Sequence, residues 1–305
     1  MKSNGWIWKS RRNGNLTFDI INMLVMGVLT ALFLYPMYLI AISAFSSPSA
    51  VYNGQVLFLP RGENLAGMQR VLSDDMLLRG YGNSIIYTAV GTVINITMTM
   101  LGAFVLSRKG FMLRKPLTWM IMLTMFFSGG MIPTFLLVKD LRLLNSIWSL
   151  VLPGAISTWN LLITRTFLAV SIPDELSDAA AIDGCNNWMF FTKTVLPLST
   201  TVIAVIGMLY AVGHWNSYWH ALLYIEDTDR YPLQLVLRDI LLRSKLSAQM
   251  LEDSTSLENL QAYMHEIAES VKYIVVLAAV LPIMIVFPFV EKYFVKGVMI
   301  GSLKG

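Results

Sequence analysis

Cysteine, histidine and charge are all scarce in this chain, and each shortage removes a class of function. The single cysteine, Cys185, has no partner for an internal disulfide, and its neighbours lack metal-ligand spacing. The histidines are His214, His220 and His265. No H-E-x-x-H occurs, and the spacing of His214 and His220 does not put them on one helix face, so no metal site is expected. There is no G-x-x-x-x-G-K-[ST], hence no phosphate-cradling loop with which the chain could hydrolyse ATP alone. There is no G-x-S-x-G nucleophile elbow either. Charged residues make up only 14% of the chain, against about 25% in soluble domains. The net charge of +4 is too small to indicate a nucleic-acid partner.

What the chain has in abundance is apolar sequence, at 55% of residues, arranged in long runs. Runs of this length point to membrane-spanning helices. The first lies near 20–45, with Pro36 inside it as a kink. It exceeds the apolar core of a secretory signal, so it reads as an uncleaved span. Further spans are expected near 83–106, 117–138, 147–170, 200–225 and 273–290. Ser128-Gly129-Gly130 and Pro133 interrupt the third, and Pro153 lies in the fourth. The segment between the first two spans is polar, with a short amphipathic stretch at Leu65, Met68, Val71 and Leu72. The expected fold class is all-α, a polytopic membrane protein of six transmembrane helices. It divides into an N-terminal tail over 1–18, a membrane domain over 19–292 and a C-terminal tail over 293–305.

Six spans put both termini on one side. Lys2, Lys9, Arg11 and Arg12 in the first tail, and Arg108, Lys109, Arg114 and Lys115 after the second span, assign that side to the cytoplasm. The polar stretch 226–269 is then an external loop.

One stretch is too polar to span a bilayer yet lies between two spans: Ser171 to Pro197, S-I-P-D-E-L-S-D-A-A-A-I-D-G-C-N-N-W-M-F-F-T-K-T-V-L-P. Ser171, with Asp174 three residues on, offers a helix cap. Asp174 and Glu175 suit the positive end of a helix, and Ala179, Ala180 and Ala181 propagate it. Gly184 can adopt φ > 0 and end it. Asn187 can cap a second helix, with Trp188, Phe191 and Val195 along one face. Pro197 is expected to close the unit. The reading is helix, glycine turn, helix on the cytoplasmic surface of the membrane.

D-A-A-A-I-D-G followed by L-P resembles the "EAA loop" of permeases in binding-protein-dependent ABC importers. Asp178, Ala179, Ala180, Gly184, Leu196 and Pro197 occupy the pattern's places. Asp178 stands where that family usually has Glu, one methylene longer. The resemblance implies that the loop docks into a separate ATPase subunit, with Asp178, Ala179, Ala180, Asp183, Gly184, Trp188, Leu196 and Pro197 as coupling residues. K-Y-F-V-K-G near the C-terminal end, G-G-M-I-P-T at Gly129–Thr134 and R-Y-P-L-Q at Arg230–Gln234 are similar to the oligosaccharide-importing branch. The implied partners are a second homologous permease, a pair of ATPase subunits, an external solute-binding protein and membrane lipid. No cofactor is expected on this chain, since ATP would sit on the ATPase, and no enzymatic activity is expected of it.

Trp215, Asn216, Tyr218 and Trp219 form the strongest candidate for substrate contact. Amide and aromatic groups suit the hydroxyls and flat faces of sugars. The same aromatics also fit a belt at the outer membrane interface. Asn160 is a weaker candidate, on a span where helix packing is the better use for it. A permease for a solute other than sugar, or a membrane-embedded enzyme, remains open at the level of sequence.

Overall fold

The computed structural model describes residues 16–62, 68–69, 71, 73–252, 267–268, 270–286 and 288. The expected tails at 1–15 and 293–305, and most of the amphipathic stretch at 65–72, lie outside the described residues. The described residues form helices and turns only. They fall into two compact units, one of residues 1–69 and 244–277, the other of 70–243 and 278–305.

The first unit opens with α1, Leu16–Phe45. Its apolar side chains are uncovered from Phe18 to Tyr38, with Met23 and Phe33 among the most exposed. Toward its end Ile42 packs with Ala50 and Val56. Ala50 lies on a short helix, α2 (Pro48–Tyr52). Arg61 closes this corner: its N–H donates to Ser46 Oγ at 3.1 Å, and its carbonyl accepts from the Ser47 N–H at 2.9 Å.

The second unit is organised around α3, Asp75–Ser107, a 33-residue helix. At 1.5 Å per residue it is about 50 Å long, well beyond what crossing a bilayer requires. Asp74 caps its start by accepting from the Met76 N–H at 2.9 Å. Around it follow α4 (Arg114–Phe126), α5 (Met131–Asp140), α6 (Ile147–Val151) and α7 (Thr158–Ser171). Then come α8 (Asp174–Ile182), α9 (Asn187–Leu198), α10 (Thr200–Trp215) and α11 (Tyr218–Tyr224). Two further helices, α12 (Leu233–Glu252) and α13 (Ser270–Val286), contribute residues to both units.

Only α1 from Thr17 and α3 are long and apolar enough to cross a membrane singly, among the described residues. The expected third span is two helices, α4 and α5, bent by 114° where Gly130 takes φ = 86°. The expected fourth is also split, into α6 and α7, by Pro153-Gly154. Backbone freed at such a break must find partners inside the protein. It does so on α3 and α10. Asn95 Nδ2 donates to the Gly154 carbonyl at 2.7 Å, and the Ser157 N–H donates to the Tyr210 hydroxyl at 3.0 Å. Tyr210 lies 2.7 Å from Thr99 Oγ1 and Asn95 Oδ1 lies 3.0 Å from His214 Nε2, so α3, α10 and the α6–α7 break are tied together by polar pairs. Apolar packing of Met100, Ala103, Leu106, Leu161, Leu168 and Ile206 fills the rest of this core.

Over 226–252 the polar stretch expected as a loop is largely helical and anchored, and 253–266 lies outside the described residues. Leu233, Leu235, Val236 and Leu237 are buried. The Leu233 N–H donates to Ser84 Oγ at 2.8 Å, Asn83 Nδ2 donates to the Asp229 and Tyr231 carbonyls, and Tyr87 donates to the Arg230 carbonyl. Arg79 pairs with Asp229. Four apolar residues at the start of a helix, diluted among charges in the sequence, anchor this segment to the first turns of α3.

Candidate functional site: a capped helix pair at the end of the central helix

Between Ile172 and Ser199 the chain builds the helix pair expected from sequence, with three local differences. Ser171 ends α7 rather than capping α8. Pro173, extended at φ = −65° and ψ = 156°, precedes the first residue of α8, Asp174. Asn186, not Asn187, caps α9, its Oδ1 accepting from the Met189 N–H at 2.8 Å. Pro197 does not stop the helix. Residues Phe191–Val195 take a π-helical turn, which shifts the hydrogen-bond register ahead of the proline, and helical backbone continues to Leu198. The turn into α10 comes after that, with a bend of 80°.

The end of α8 is a Schellman motif. The Cys185 N–H donates to the Ala180 carbonyl at 2.9 Å and the Gly184 N–H to the Ala181 carbonyl at 3.0 Å. Gly184 has φ = 80°, a conformation that costs any residue with a Cβ. A Cβ there would meet nothing within 4 Å, so the requirement for glycine is conformational and not steric.

One side of the pair is buried and the other bare. Phe190, Phe191 and Val195 enter the core, and Ala180 packs against it. Phe104 of α3 meets Phe190 and Phe191 at ring separations of 6.3 and 5.2 Å. Asp178, Ala179, Asp183, Gly184 and Pro197 are exposed, and Leu196 is partly covered. Trp188 is 64% exposed and Ile182 is 88% exposed. Ile182 was not singled out in the sequence. Its signal was a large apolar residue directly after the three alanines, on a helix otherwise largely polar.

Basic residues fix the pair to the end of α3. The Arg108 Nη2 donates to the Ile172 carbonyl at 3.3 Å. Asp174 accepts Lys109 at 3.0 Å and lies 3.9 Å from Arg108. Arg165 of α7 donates to the Leu106 carbonyl at 3.1 Å. The two arginine bonds occupy carbonyls that a helix end leaves without intrahelical partners. Burial lowers the pKa of Arg108 from its ordinary value, and Asp174 works against that shift. A cleft of about 550 Å³ opens here, lined by Phe104, Arg108, Lys109, Asp174, Ser177 and Asp178 among others.

The residues expected at the substrate pathway do different things. Trp215 is buried, and its indole N–H donates to the Ala279 carbonyl at 3.1 Å. Asn216 is exposed, but its side-chain amide donates to the Val212 carbonyl at 3.0 Å and finishes α10. Tyr218 packs on the cluster of Tyr87, Leu150 and Tyr224, while Trp219 is 54% exposed. Asn160 is buried on α7, where its carbonyl accepts from Thr164 Oγ1. A groove of about 320 Å³ beside Trp215, lined by Gly207, Met208, Ala211 and Pro282, is apolar apart from Thr88. It offers few partners to hydroxyl groups.

A long apolar central helix, broken spans satisfied from within, and a capped helix pair with one bare face define a class: the membrane component of a transport system. Residues 98–300 match the model of the family described as "Binding-protein-dependent transport system inner membrane component", and the chain belongs to that family. It is 38% identical to Protein LplC of Bacillus subtilis (strain 168) over 94% of this chain and 95% of that protein. It is 36% identical to the polygalacturonan/rhamnogalacturonan transport system permease protein YtcP of the same organism, over 94% and 99%. It is 32% identical to the sn-glycerol-3-phosphate transport system permease protein UgpE of Salmonella typhi, over 70% and 78%. Among solved structures it resembles a chain of a bacterial ABC transporter involved in the import of the acidic polysaccharide alginate. The TM-score there is 0.79 at 30% identity, covering 91% of this chain and 96% of that one.

Proposed function

We propose that this permease is a subunit of an ATP-driven ABC importer and moves an oligosaccharide across the cytoplasmic membrane. It works with a second homologous permease, a pair of ATPase subunits and an external solute-binding protein. The bare face of the α8–α9 pair carries this reading. Ile182, Trp188 and Asp178 are presented outward on a unit whose opposite side is locked into the core. A docking surface needs both properties. It must leave apolar side chains free for a partner, and it must pass the partner's motion to the spans as a rigid body.

The membrane domain over 19–292 then crosses six times, with Ser171–Pro197 and both tails, 1–18 and 293–305, on the cytoplasmic side and 226–269 outside. The uncovered apolar length of α1 supports contact with lipid or with the second permease. ATP-driven approach of the two ATPase subunits moves the helix pairs, and the spans alternate between inward- and outward-facing cavities. The chain supplies no ATP-binding loop and takes no catalytic part.

The sugar assignment rests on the relatives named for polygalacturonan/rhamnogalacturonan and alginate. The relative named for sn-glycerol-3-phosphate supports a second reading, a small phosphorylated solute. The deciding experiment places the assembled complex in vesicles with the binding protein and measures ATP-dependent uptake. Labelled oligogalacturonides should accumulate and labelled sn-glycerol-3-phosphate should not. The reverse outcome overturns the sugar reading. Failure of any ATPase to co-purify with the permease overturns the coupling role of the helix pair. Asp178 forms no ion pair among the described residues, so Asp178→Ala should leave the fold intact and weaken ATPase retention. Asp178→Glu should keep it.

A further inference from the structure

We propose that Arg108 is a positioning residue for transport, holding the α8–α9 pair so that it cannot shift without moving α3. This rests on the reading of that pair as the surface an ATPase drives. Arg108 follows the last residue of α3, and its side chain is only 16% exposed. It touches the start of α8 directly and bears on α9 only through Phe104 of α3. Toward α8, Nη2 donates to the Ile172 carbonyl at 3.3 Å, and Nη1 lies 3.9 Å from Asp174 Oδ1. Toward α9, the guanidinium sits over the ring of Phe104, 5.4 Å from its centroid. That ring is the surface on which Phe190 and Phe191 pack. Nε is spent on Ser107 Oγ at 3.2 Å, which aims the guanidinium plane.

Among the described residues no other cation at this junction does the same. Lys109 pairs with Asp174 at 3.0 Å, but its side chain is 81% exposed, where an ion pair is screened and weak. Arg165 bonds the Leu106 carbonyl and ties α7 to α3, without reaching either arm. Only a planar, multiply donating cation can stack on Phe104 and hydrogen-bond the Ile172 carbonyl at once, so lysine is a poor replacement. The consequence is a rigid joint. A displacement of α8 pulls on Asp174 and the Ile172 carbonyl, and both are held by a group seated on α3. Loosening the joint lets the pair yield locally, and ATP is then hydrolysed without the spans following.

The test uses the complete complex in vesicles with its binding protein. It reads substrate accumulated per ATP hydrolysed, along with retention of the ATPase on affinity-purified permease. A misplacement of about 1 Å at a working site can cost 10²-fold, so a loss of about tenfold or more in substrate per ATP is expected for Arg108→Gln. ATPase retention should stay within twofold of the unsubstituted complex, roughly the margin of a surface change. Asp174→Asn, at a side chain one-third exposed, should lower the same ratio. Combining it with Arg108→Gln should add little. Arg108→Lys should recover only part of the ratio. An unchanged ratio in both Arg108→Gln and Asp174→Asn overturns the proposal. So does a parallel fall of uptake, ATPase retention and permease abundance, which would make Arg108 merely structural. If the unsubstituted permease retains no ATPase, the coupling reading itself falls, and this outcome is distinct from the other two.

Discussion

His214 occupies the space that a side chain on Gly91 would need. A Cβ built on Gly91 would lie 2.4 Å from His214 Nε2. The same nitrogen is 3.0 Å from Asn95 Oδ1, and the Asn95 amide is already donating to the Gly154 carbonyl. His214 must therefore donate through Nε2, and its tautomer is set by a bond that exists only because residue 91 is bare. Gly91→Ala should push α10 off α3 and break this chain of bonds. An overpacked contact of this kind costs roughly 1–3 kcal/mol. Gly82, on the same helix, has nothing within 4 Å of a built Cβ, and Gly82→Ala should be neutral or slightly stabilising. Thermal unfolding of the two detergent-purified variants checks the pair.

The extended apolar runs and the glycine turn were legible in the sequence because each depends on local chemistry. A 30-residue apolar helix such as α1 needs no neighbour to be recognised. The φ of Gly184 follows from a helix ending between alanines and an asparagine cap. What was not legible depends on contacts far apart in the chain. Gly80, Gly91 and Gly102 recur every eleven residues on α3, close to three turns, and face Val236, His214 and Leu161. None of those partners is predictable from α3 alone. The passage of helix through Pro197 required a π-helical turn, which has no sequence signature. Trp215 and Trp219 looked alike as candidates for sugar contact, but one faces the Ala279 carbonyl and the other is largely uncovered.

That split gives a second prediction. Trp215→Phe removes the indole N–H bond to the Ala279 carbonyl, a loss of about 1 kcal/mol. Permease abundance should fall, and the apparent affinity for transported substrate should not change. Trp219→Ala should do the opposite, leaving abundance unchanged and lowering uptake at limiting substrate. Uptake measured over a substrate series, normalised to permease in the vesicle, separates the two. If Trp219→Ala transports like wild type, that side chain belongs to an interfacial belt.

Sidedness can be tested on two exposed positions. In a Cys185→Ser background, Thr228→Cys should react with an impermeant thiol reagent in intact cells. Lys193→Cys should react only once the membrane is opened. Both side chains are exposed, so access decides the outcome. Labelling of Lys193→Cys from outside would reverse the proposed orientation.

Gly184 provides the sharpest test of the helix pair, because its surroundings are empty. The only cost of a side chain there is the backbone's: about 1–2 kcal/mol for a residue held in the left-handed region. Asparagine tolerates that region, so Gly184→Asn should transport nearly as wild type. A β-branched residue does not, so Gly184→Val should open the Schellman turn. The turn sits between Ile182 and Trp188, so its loss moves the two most exposed apolar side chains of the pair relative to each other. Phe190, Phe191 and Val195 stay buried against α3 and keep the chain folded. The expected pattern is normal abundance of Gly184→Val in the membrane, reduced ATPase retention and little uptake. Co-purification and vesicle uptake, measured for Gly184→Asn and Gly184→Val side by side, check it. Equal uptake by the two variants would mean that the geometry of this turn does not matter to coupling.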